Sequence, residues 1–344
     1  MKVLVTGGAG FIGSHFVRDW LQRHPRDTVV TLDRLSYSGI AATVDELAQE
    51  PRHRFLLGDI ADPAAVEEAM RGCGLVVHFA AETHVDRSIT NAAPFVRTNV
   101  EGTQALLSQA ARQKVAKFIH ISTDEVYGPI PEGAHAETAA LNPRSPYAAS
   151  KAGGDMLVNA YRETYGLEAI IVRPTNVYGP RQFPEKFIPL CITNAMHDAP
   201  LPIYGDGQQR RAWLLVTDLC LALERIIERG AAGQIYNVSS PWERANLDVA
   251  KLVLQLLHKP ETLLRFVPDR PGHDRRYAMD GAKLAGLGWT SQAVFEQGLR
   301  DTIAWYQGHR AWWQPLKDRL REDSYHWLNR AAQAGARQAV GAVD

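Results

Sequence analysis

The first fourteen residues constrain this chain more than any other stretch. Lys2-Val3-Leu4-Val5-Thr6 is short, apolar and β-branched, and it runs into Gly7-Gly8-Ala9-Gly10-Phe11-Ile12-Gly13-Ser14 before a helical pattern that continues through Leu21. Strand, glycine turn and helix in that order make a cradle for a pyrophosphate. The glycines permit a tight turn and close backbone approach, and the N–H groups and dipole at the helix start favour an anion. The next strand, Thr28 to Leu32, ends in Asp33, at the spacing of about twenty residues that the dinucleotide fingerprint requires. An acidic side chain there suits a ribose 2′-hydroxyl and repels a 2′-phosphate, so NAD is favoured over NADP, with the adjacent Arg34 a counter-signal.

The alternation continues. Phe55-Leu56-Leu57 leads through Gly58-Asp59-Ile60 into a helix ending at Met70, and Leu75-Val76-Val77-His78-Phe79 ends at Ala80-Ala81. Strands apolar on both faces imply a parallel sheet covered by helices. The small Ala80 and Ala81 leave room for a cofactor against the strand ends. Pro94 to Gln113 reads as one long helix and Tyr147 to Tyr165 as another, with apolar stripes (Ala105, Leu106, Ala110; Met156, Leu157, Ala160) that would suit a dimer face. The fold class expected is α/β, a Rossmann-type doubly wound parallel sheet with a smaller mixed α/β substrate domain. Residues 1–178 form the NAD-binding part, to which 213–240 return; 179–212 and 241–322, richer in Pro and short elements, form the substrate part. The Ala/Gln/Gly-rich tail, 323–344, carries little core and is expected to be disordered.

Lys+Arg and Asp+Glu balance at 38 each, which argues against nucleic-acid or membrane-surface binding through bulk charge. The three cysteines, Cys73, Cys191 and Cys220, lack metal or disulfide spacing. No charged-then-apolar leader and no membrane-length apolar run is present, and a soluble cytoplasmic protein without a metal is expected.

The chemistry concentrates between Ser122 and Lys151. An apolar run (Val115, Phe118, Ile119, Ile121) closes on Ser122-Thr123-Asp124-Glu125-Val126-Tyr127-Gly128, and Ser145-Pro146 starts a helix carrying Tyr147 and Lys151. Positions i and i+4 share a helix face, and an ammonium beside a phenol favours the phenolate, a base usable near neutral pH. Such pairs also occur on solvated faces, so the helix start and the adjacent acids carry the weight. Further on, Arg270, His273, Arg275 and Arg276 form a local basic cluster, a candidate diphosphate clamp.

These residues resemble the extended short-chain dehydrogenase/reductases that modify nucleotide sugars, and within them the 4,6-dehydratases. The resemblance runs from Met1 to about Asp318. Its more specific motifs are Ala80-Ala81-Glu82-Thr83-His84-Val85-Asp86-Arg87-Ser88, Ser122 to Gly128, Phe183-Pro184-Glu185-Lys186 and Asp269-Arg270-Pro271-Gly272-His273-Asp274-Arg275-Arg276-Tyr277. It implies a dehydration in which NAD is reduced and reoxidised within each turnover, with dTDP-glucose favoured over UDP-glucose, and a homodimer. Tyr147, supported by Lys151 and Thr123, would take the proton of the sugar 4-hydroxyl; Glu125 would act as base at carbon 5 and Asp124 as acid toward the 6-hydroxyl. The resemblance further implies Gly7, Gly10, Phe11, Ile12, Gly13, Asp33, Asp59, Ile60, Ala80, Ala81, Thr98, Ser122, Tyr147 and Lys151 for NAD. For the nucleotide sugar it implies His84, Ser88, Asn176, Glu185, Lys186, Tyr204, Arg211, Asn246, Arg270, His273 and Tyr277. Without the acid pair, a UDP-sugar 4-epimerase or uronate decarboxylase of the same fold would be expected; loss of Tyr147 or Lys151 would suggest a non-catalytic NAD-binding regulator. Three departures from the dehydratase pattern stand out: Ala212 and Leu215 where Asp and Tyr are usual, Ser38-Gly39-Ile40, and Arg173-Pro174-Thr175-Asn176-Val177.

Overall fold

The computed structural model describes residues 1–323, so all but the first residue of the tail at 323–344 lies outside them. The strands, in chain order, are β1 (Lys2–Thr6), β2 (Thr28–Asp33), β3 (His53–Leu57), β4 (Leu75–His78), β5 (Lys117–Ile121), β6 (Ala169–Pro174), β7 (Asn176–Tyr178), β8 (Leu201–Tyr204), β9 (Arg210–Leu215), β10 (Ile235–Val238), β11 (Glu243–Ala245) and β12 (Leu264–Val267).

A seven-stranded sheet in the order β10-β6-β5-β4-β1-β2-β3 is the frame. Its pairings are parallel, from Val3↔Val29 and Val3↔Leu75 to Ile235↔Ile171. Because strand side chains alternate, the two faces separate by parity. Val3, Val5, Val77, Ile119 and Val172 pack on one side against helix Phe11–Arg23, through Phe16 and Trp20. Leu4, Val76, Phe118 and Ile171 pack on the other with Leu106, Leu107 and Val158. The strand order reverses between β1 and β4, and a crevice at the carboxyl ends of strands flanking such a reversal is where this topology binds ligands.

The single long helix expected over Pro94–Gln113 is divided. Ala93–Val96 is α-helical, Arg97–Gly102 widens into a π-helical segment, and Thr103–Gln113 resumes the α-helix. Such segments are uncommon and often mark functional positions. Here Asn99 turns its amide inward, and the Thr103 hydroxyl donates to the Asn99 carbonyl at 2.7 Å.

The chain divides into two compact units, the first made of Met1–Tyr178, Arg211–Glu243 and Asp274–Phe295, the second of the remainder. The expected assignment of 241–322 to the substrate part therefore needs a correction at Asp274–Phe295. That segment returns because Met279 bridges His135, Leu284 is fully buried in the first unit's core, and Arg276 pairs with Glu243 at 2.9 Å. In the second unit, β8 pairs with β12 in parallel, Leu201↔Leu264. The buried Lys317 ammonium is held by Thr193 Oγ1 at 2.7 Å and Asn194 Oδ1 at 2.6 Å.

Candidate active site

The glycine turn is shaped by contact. Gly7 has φ +72°, and a Cβ there would lie 2.6 Å from the Ala80 backbone nitrogen; at Gly13 it would lie 2.4 Å from the Gly7 carbonyl oxygen. Gly10 precedes helix Phe11–Arg23, beside Phe11 and Ile12, and makes no side-chain cap hydrogen bond. At the end of β2, Asp33 accepts from Ala9 N at 3.0 Å and from Leu35 N at 2.8 Å, and burial raises its carboxyl above the usual range. Asp59 accepts from Ala61 N at 2.9 Å and meets Arg34 and Arg97 at 3.3 Å each, while Arg34 also pairs with Glu82. Ile60 lies against Gly102, where a Cβ would come within 2.6 Å of it. Ala80 and Ala81 follow β4, the Ala80 N–H donating to Thr6 Oγ1 at 3.3 Å. Thr98 is buried in the π-helical segment, its hydroxyl without a partner among the described residues. A backbone that excludes Cβ atoms beside an uncapped helix start, with an acid at the end of the next strand, fits a dinucleotide.

The catalytic candidates come together in the first unit. Ser145 caps helix Pro146–Tyr165, its hydroxyl accepting from Ala148 N at 3.1 Å, and Tyr147 and Lys151 are both buried on it. Ser122 follows β5, and Thr123 then caps the 3₁₀ turn Asp124–Tyr127, accepting from Glu125 N at 3.3 Å and donating to Asp124 Oδ1 at 3.2 Å. Lys151 Nζ donates to the Ile121 carbonyl at 2.7 Å. Here the expectation of a phenol lowered by its neighbouring ammonium is corrected. Burial and then the Glu125 charge raise the Tyr147 phenol well above its ordinary value, Thr123 acting in the opposite sense. Burial brings Lys151 down to about 8, against the pull of Asp155. Burial, reinforced by Glu125 and opposed by Arg211, pushes Asp124 up to about 7. Asp124 is thus far more readily protonated than an exposed carboxyl, as the acid of an acid/base pair must be.

The substrate candidates fall in both units. In the first, His84 precedes helix Val85–Thr90 and Asn176 opens β7 with its Oδ1 buried and unpartnered among the described residues. Arg211 Nη2 donates to the Asp274 carbonyl at 2.9 Å, its guanidinium lies 4.4 Å from the Tyr277 ring centroid, and the Tyr277 hydroxyl donates to Asp274 Oδ2 at 2.7 Å. Ser88 is buried, its hydroxyl donating to Val85 O and accepting from Tyr147 N, so it also holds the first turn of the catalytic helix. In the second unit, Glu185 is buried, Lys186 precedes helix Phe187–Ala195 and Asn246 opens helix Asn246–Leu256 with a buried, unpartnered Oδ1. Asp269 gathers His273 at 2.6 Å, the Arg270 N–H at 2.8 Å and Gln209 at 2.9 Å, and the Tyr204 ring meets His273 edge-on at 5.9 Å. The basic cluster splits: Arg276 is tied to Glu243, Ile130 O and Gly133 O and is a structural tie of the first unit.

The model of the family described as GDP-mannose 4,6 dehydratase matches residues 4–302. The chain belongs to the GDP-mannose 4,6-dehydratase family. Among curated relatives in this family, a dTDP-glucose 4,6-dehydratase from Streptomyces niveus is 48% identical over 322 residues, covering 92% of this chain and 96% of the relative. A low-salt glycan biosynthesis protein from Haloferax volcanii is 47% identical, covering 90% and 99%. A solved structure of a Streptomyces venezuelae dTDP-glucose 4,6-dehydratase with NAD bound superposes with a TM-score of 0.90 at 46% identity, covering 92% of this chain and 100% of that one. A Bacillus cereus UDP-glucuronic acid 4-epimerase with NAD reaches 0.85 at 29% identity, covering 90% and 99%. The 4,6-dehydratase family and its epimerase neighbours therefore share this frame, and the site residues carry the distinction.

The site residues implied by the resemblance leave out several that position the others. Asn99 accepts from Glu82 N at 2.9 Å and donates to Ser150 Oγ at 2.9 Å, which in turn donates to the Tyr147 carbonyl at 2.7 Å. Asp274 orients both Arg211, through its carbonyl, and Tyr277, through its carboxylate. That arrangement also answers the Ala212 departure: Arg211 is fixed by carbonyls and a ring, not by a carboxylate next to it in sequence. Asp155 could have been noticed as the next i+4 step after Tyr147 and Lys151. Arg173, one of the departures, is its partner.

Proposed function

We propose that this chain catalyses the 4,6-dehydration of dTDP-glucose to dTDP-4-keto-6-deoxyglucose as a hydro-lyase. The observation that carries the reading is the Asp124–Glu125 pair in the 3₁₀ turn after β5, capped by Thr123, where burial raises the Asp124 carboxyl to about 7. Gly7, Gly10, Phe11, Ile12 and Gly13 would hold the NAD pyrophosphate and Asp33 a ribose, with Asp59, Ile60, Ala80, Ala81, Thr98 and Ser122 lining the remainder. NAD, when bound, supplies a hydride acceptor and, once reduced, a donor. Tyr147 would take the proton of the sugar 4-hydroxyl only after shedding its own, which burial and Glu125 hold on it; the Thr123 hydroxyl and the Lys151 cation act against that hold in the loaded site. The ketone at carbon 4 acidifies carbon 5, whose proton passes to Glu125. Asp124 delivers its proton to the departing 6-hydroxyl, which leaves as water. Arg211, His84, Asn176 and Tyr277, and separately Glu185, Lys186, Tyr204, Asn246, Arg270 and His273, are the proposed substrate contacts.

A homodimer accompanies this reading. Val96 is 53% exposed and Met156 59%, and a surface groove of about 600 Å³ lies beside Ala93, Val96, Val100 and Leu157. Among the described residues no helix is long and apolar enough to cross a membrane, and a cytoplasmic enzyme is the setting proposed.

The test is incubation of the purified protein with dTDP-glucose and, separately, UDP-glucose, followed by mass spectrometry. Loss of one water from dTDP-glucose, abolished by Glu125→Gln and by Tyr147→Phe, is expected. Loss from UDP-glucose alone would move the nucleotide assignment, and no loss from either with NAD added would overturn the reaction.

A further inference from the structure

Beneath the catalytic face, helix Pro146–Tyr165 carries a charge for which the reaction above has no direct use. Asp155 follows Lys151 by one helical turn and is fully buried, as are Arg173 at 2% exposure and His120. Arg173 Nε donates to Asp155 Oδ2 at 2.9 Å and Nη2 lies 2.8 Å from the same oxygen. The other carboxylate oxygen faces His120 Nε2 at 3.4 Å. The Arg173 guanidinium rests 4.6 Å from the Tyr127 ring centroid, and the Tyr127 hydroxyl is pinned to Asn237 Oδ1 at 2.8 Å. Gly154 makes the approach possible, since a Cβ there would lie 3.0 Å from Asn99 O and 3.2 Å from His120 Nε2.

A buried ion pair is weak support for stability, because apolar residues of similar volume often serve as well. The surroundings give this one another use. The groups facing Asp155 are Lys151 on its own helix, His120 and Ser122 from β5 and its end, and Arg173 from β6, with the His78 ring of β4 tilted against His120 at 5.3 Å. Burial holds both histidines below their ordinary values and hence neutral. The charged set is therefore two cations and one anion, and among the described residues the Lys151 ammonium has a single hydrogen bond, to a carbonyl. Asp155, buried one turn on from Lys151 and on the same face of helix Pro146–Tyr165, is the anion that favours the Lys151 cation in this interior.

We propose that Asp155, clamped by Arg173 and flanked by His120, is a positioning residue that keeps Lys151 charged one helical turn from Tyr147, and so sets the alkaline limit of activity. This rests on the reaction proposed above for its activity readout only. Losing the anion lets Lys151 shed its proton at lower pH, so the alkaline limb moves toward neutrality.

The experiment titrates the Lys151 side chain by NMR, its signal assigned by loss in Lys151→Met, in the NAD-loaded wild type, Asp155→Asn and the double variant D155N/R173M. The double variant removes both charges and so leaves the net charge of the cluster as in the wild type where the single variant, with Arg173 unpaired, fails to fold. A Lys151 midpoint lower by one pH unit or more, a matching move of the alkaline limb of kcat with KM unchanged within twofold, and restoration by Asp155→Glu are expected. A purely structural role would reduce the folded, loaded fraction alike at every pH and leave the midpoint in place, which would overturn the proposal. If the midpoint moves while the wild type dehydrates neither nucleotide sugar, the reaction assignment fails and the Asp155 assignment stands.

Discussion

The Ser88 hydroxyl accepts the Tyr147 backbone N–H at 3.2 Å while donating to the Val85 carbonyl at 2.6 Å. Two segments far apart in sequence are thus joined at the first turn of the catalytic helix. Ser88→Ala should cost about 1–2 kcal/mol by leaving that N–H buried and unpaired. It should lower kcat while KM for the nucleotide sugar stays within about twofold; urea unfolding and steady-state kinetics check both. A large rise in KM at unchanged stability would make Ser88 a substrate contact instead.

Arg34 is the residue a 2′-phosphate would call on, yet it is engaged by Glu82 and by Asp59. Asp33→Ser alone is expected to weaken NAD binding without creating NADP binding. Adding Glu82→Gln should release Arg34 and give measurable NADP affinity by calorimetry on the apo protein. NADP binding by the single variant at the level of the double would show that the clamp has no influence.

Asp124 predicts a pH-dependent stability difference. Its folded value, about 7, lies above the unfolded value of about 4. Its stabilising contribution is complete below the unfolded value and is lost as pH rises through the folded one. Asp124→Asn should therefore be more stable than the wild type at pH 8, by about 2 kcal/mol after discounting the coupling to Glu125, and the gap should close toward pH 4. Chemical denaturation at the two pH values measures it. A constant gap would mean that Asp124 is not held protonated.

Gly13 admits no side chain, its Cβ position being 2.4 Å from the Gly7 carbonyl oxygen. Gly13→Ala should yield protein lacking NAD and destabilised by about 2 kcal/mol, read from the absorbance of the purified protein and from thermal unfolding. Gly72→Ala, with nothing within 4 Å but φ +72°, is the contrast: modest strain of about 1 kcal/mol and full NAD content.

How much of this was legible in the chain follows from what each signal depends on. The β1 turn and Asp33 are local, because a glycine turn between strand and helix states its own geometry. Tyr147 and Lys151 are legible because helical spacing fixes their common face. The division of Pro94–Gln113 was not legible, since it arises where Asn99 bonds to Glu82 and Ser150, partners distant in sequence. The sense of the Tyr147 shift was misread for a related reason. A neighbouring cation is visible in sequence; full burial beside Glu125 and an ammonium turned to Ile121 O are not. Arg276 looked like a ligand clamp by composition, and only its Glu243 partner made it structural. Ser88, likewise, acquired its role from a helix that begins at Pro146.

The sheet's seventh strand is made late. β6 ends at Pro174, but its edge partner β10 begins at Ile235, and the first unit closes only with the segment ending at Phe295. At ribosomal rates of roughly 5–20 residues per second, residues 175–234 take roughly 3 to 12 s to synthesise. For that interval the nascent chain carries an apolar strand edge with no neighbour, the feature through which chains join one another. Synthesis of this protein thus includes a window of self-association set by translation speed and closed by β10.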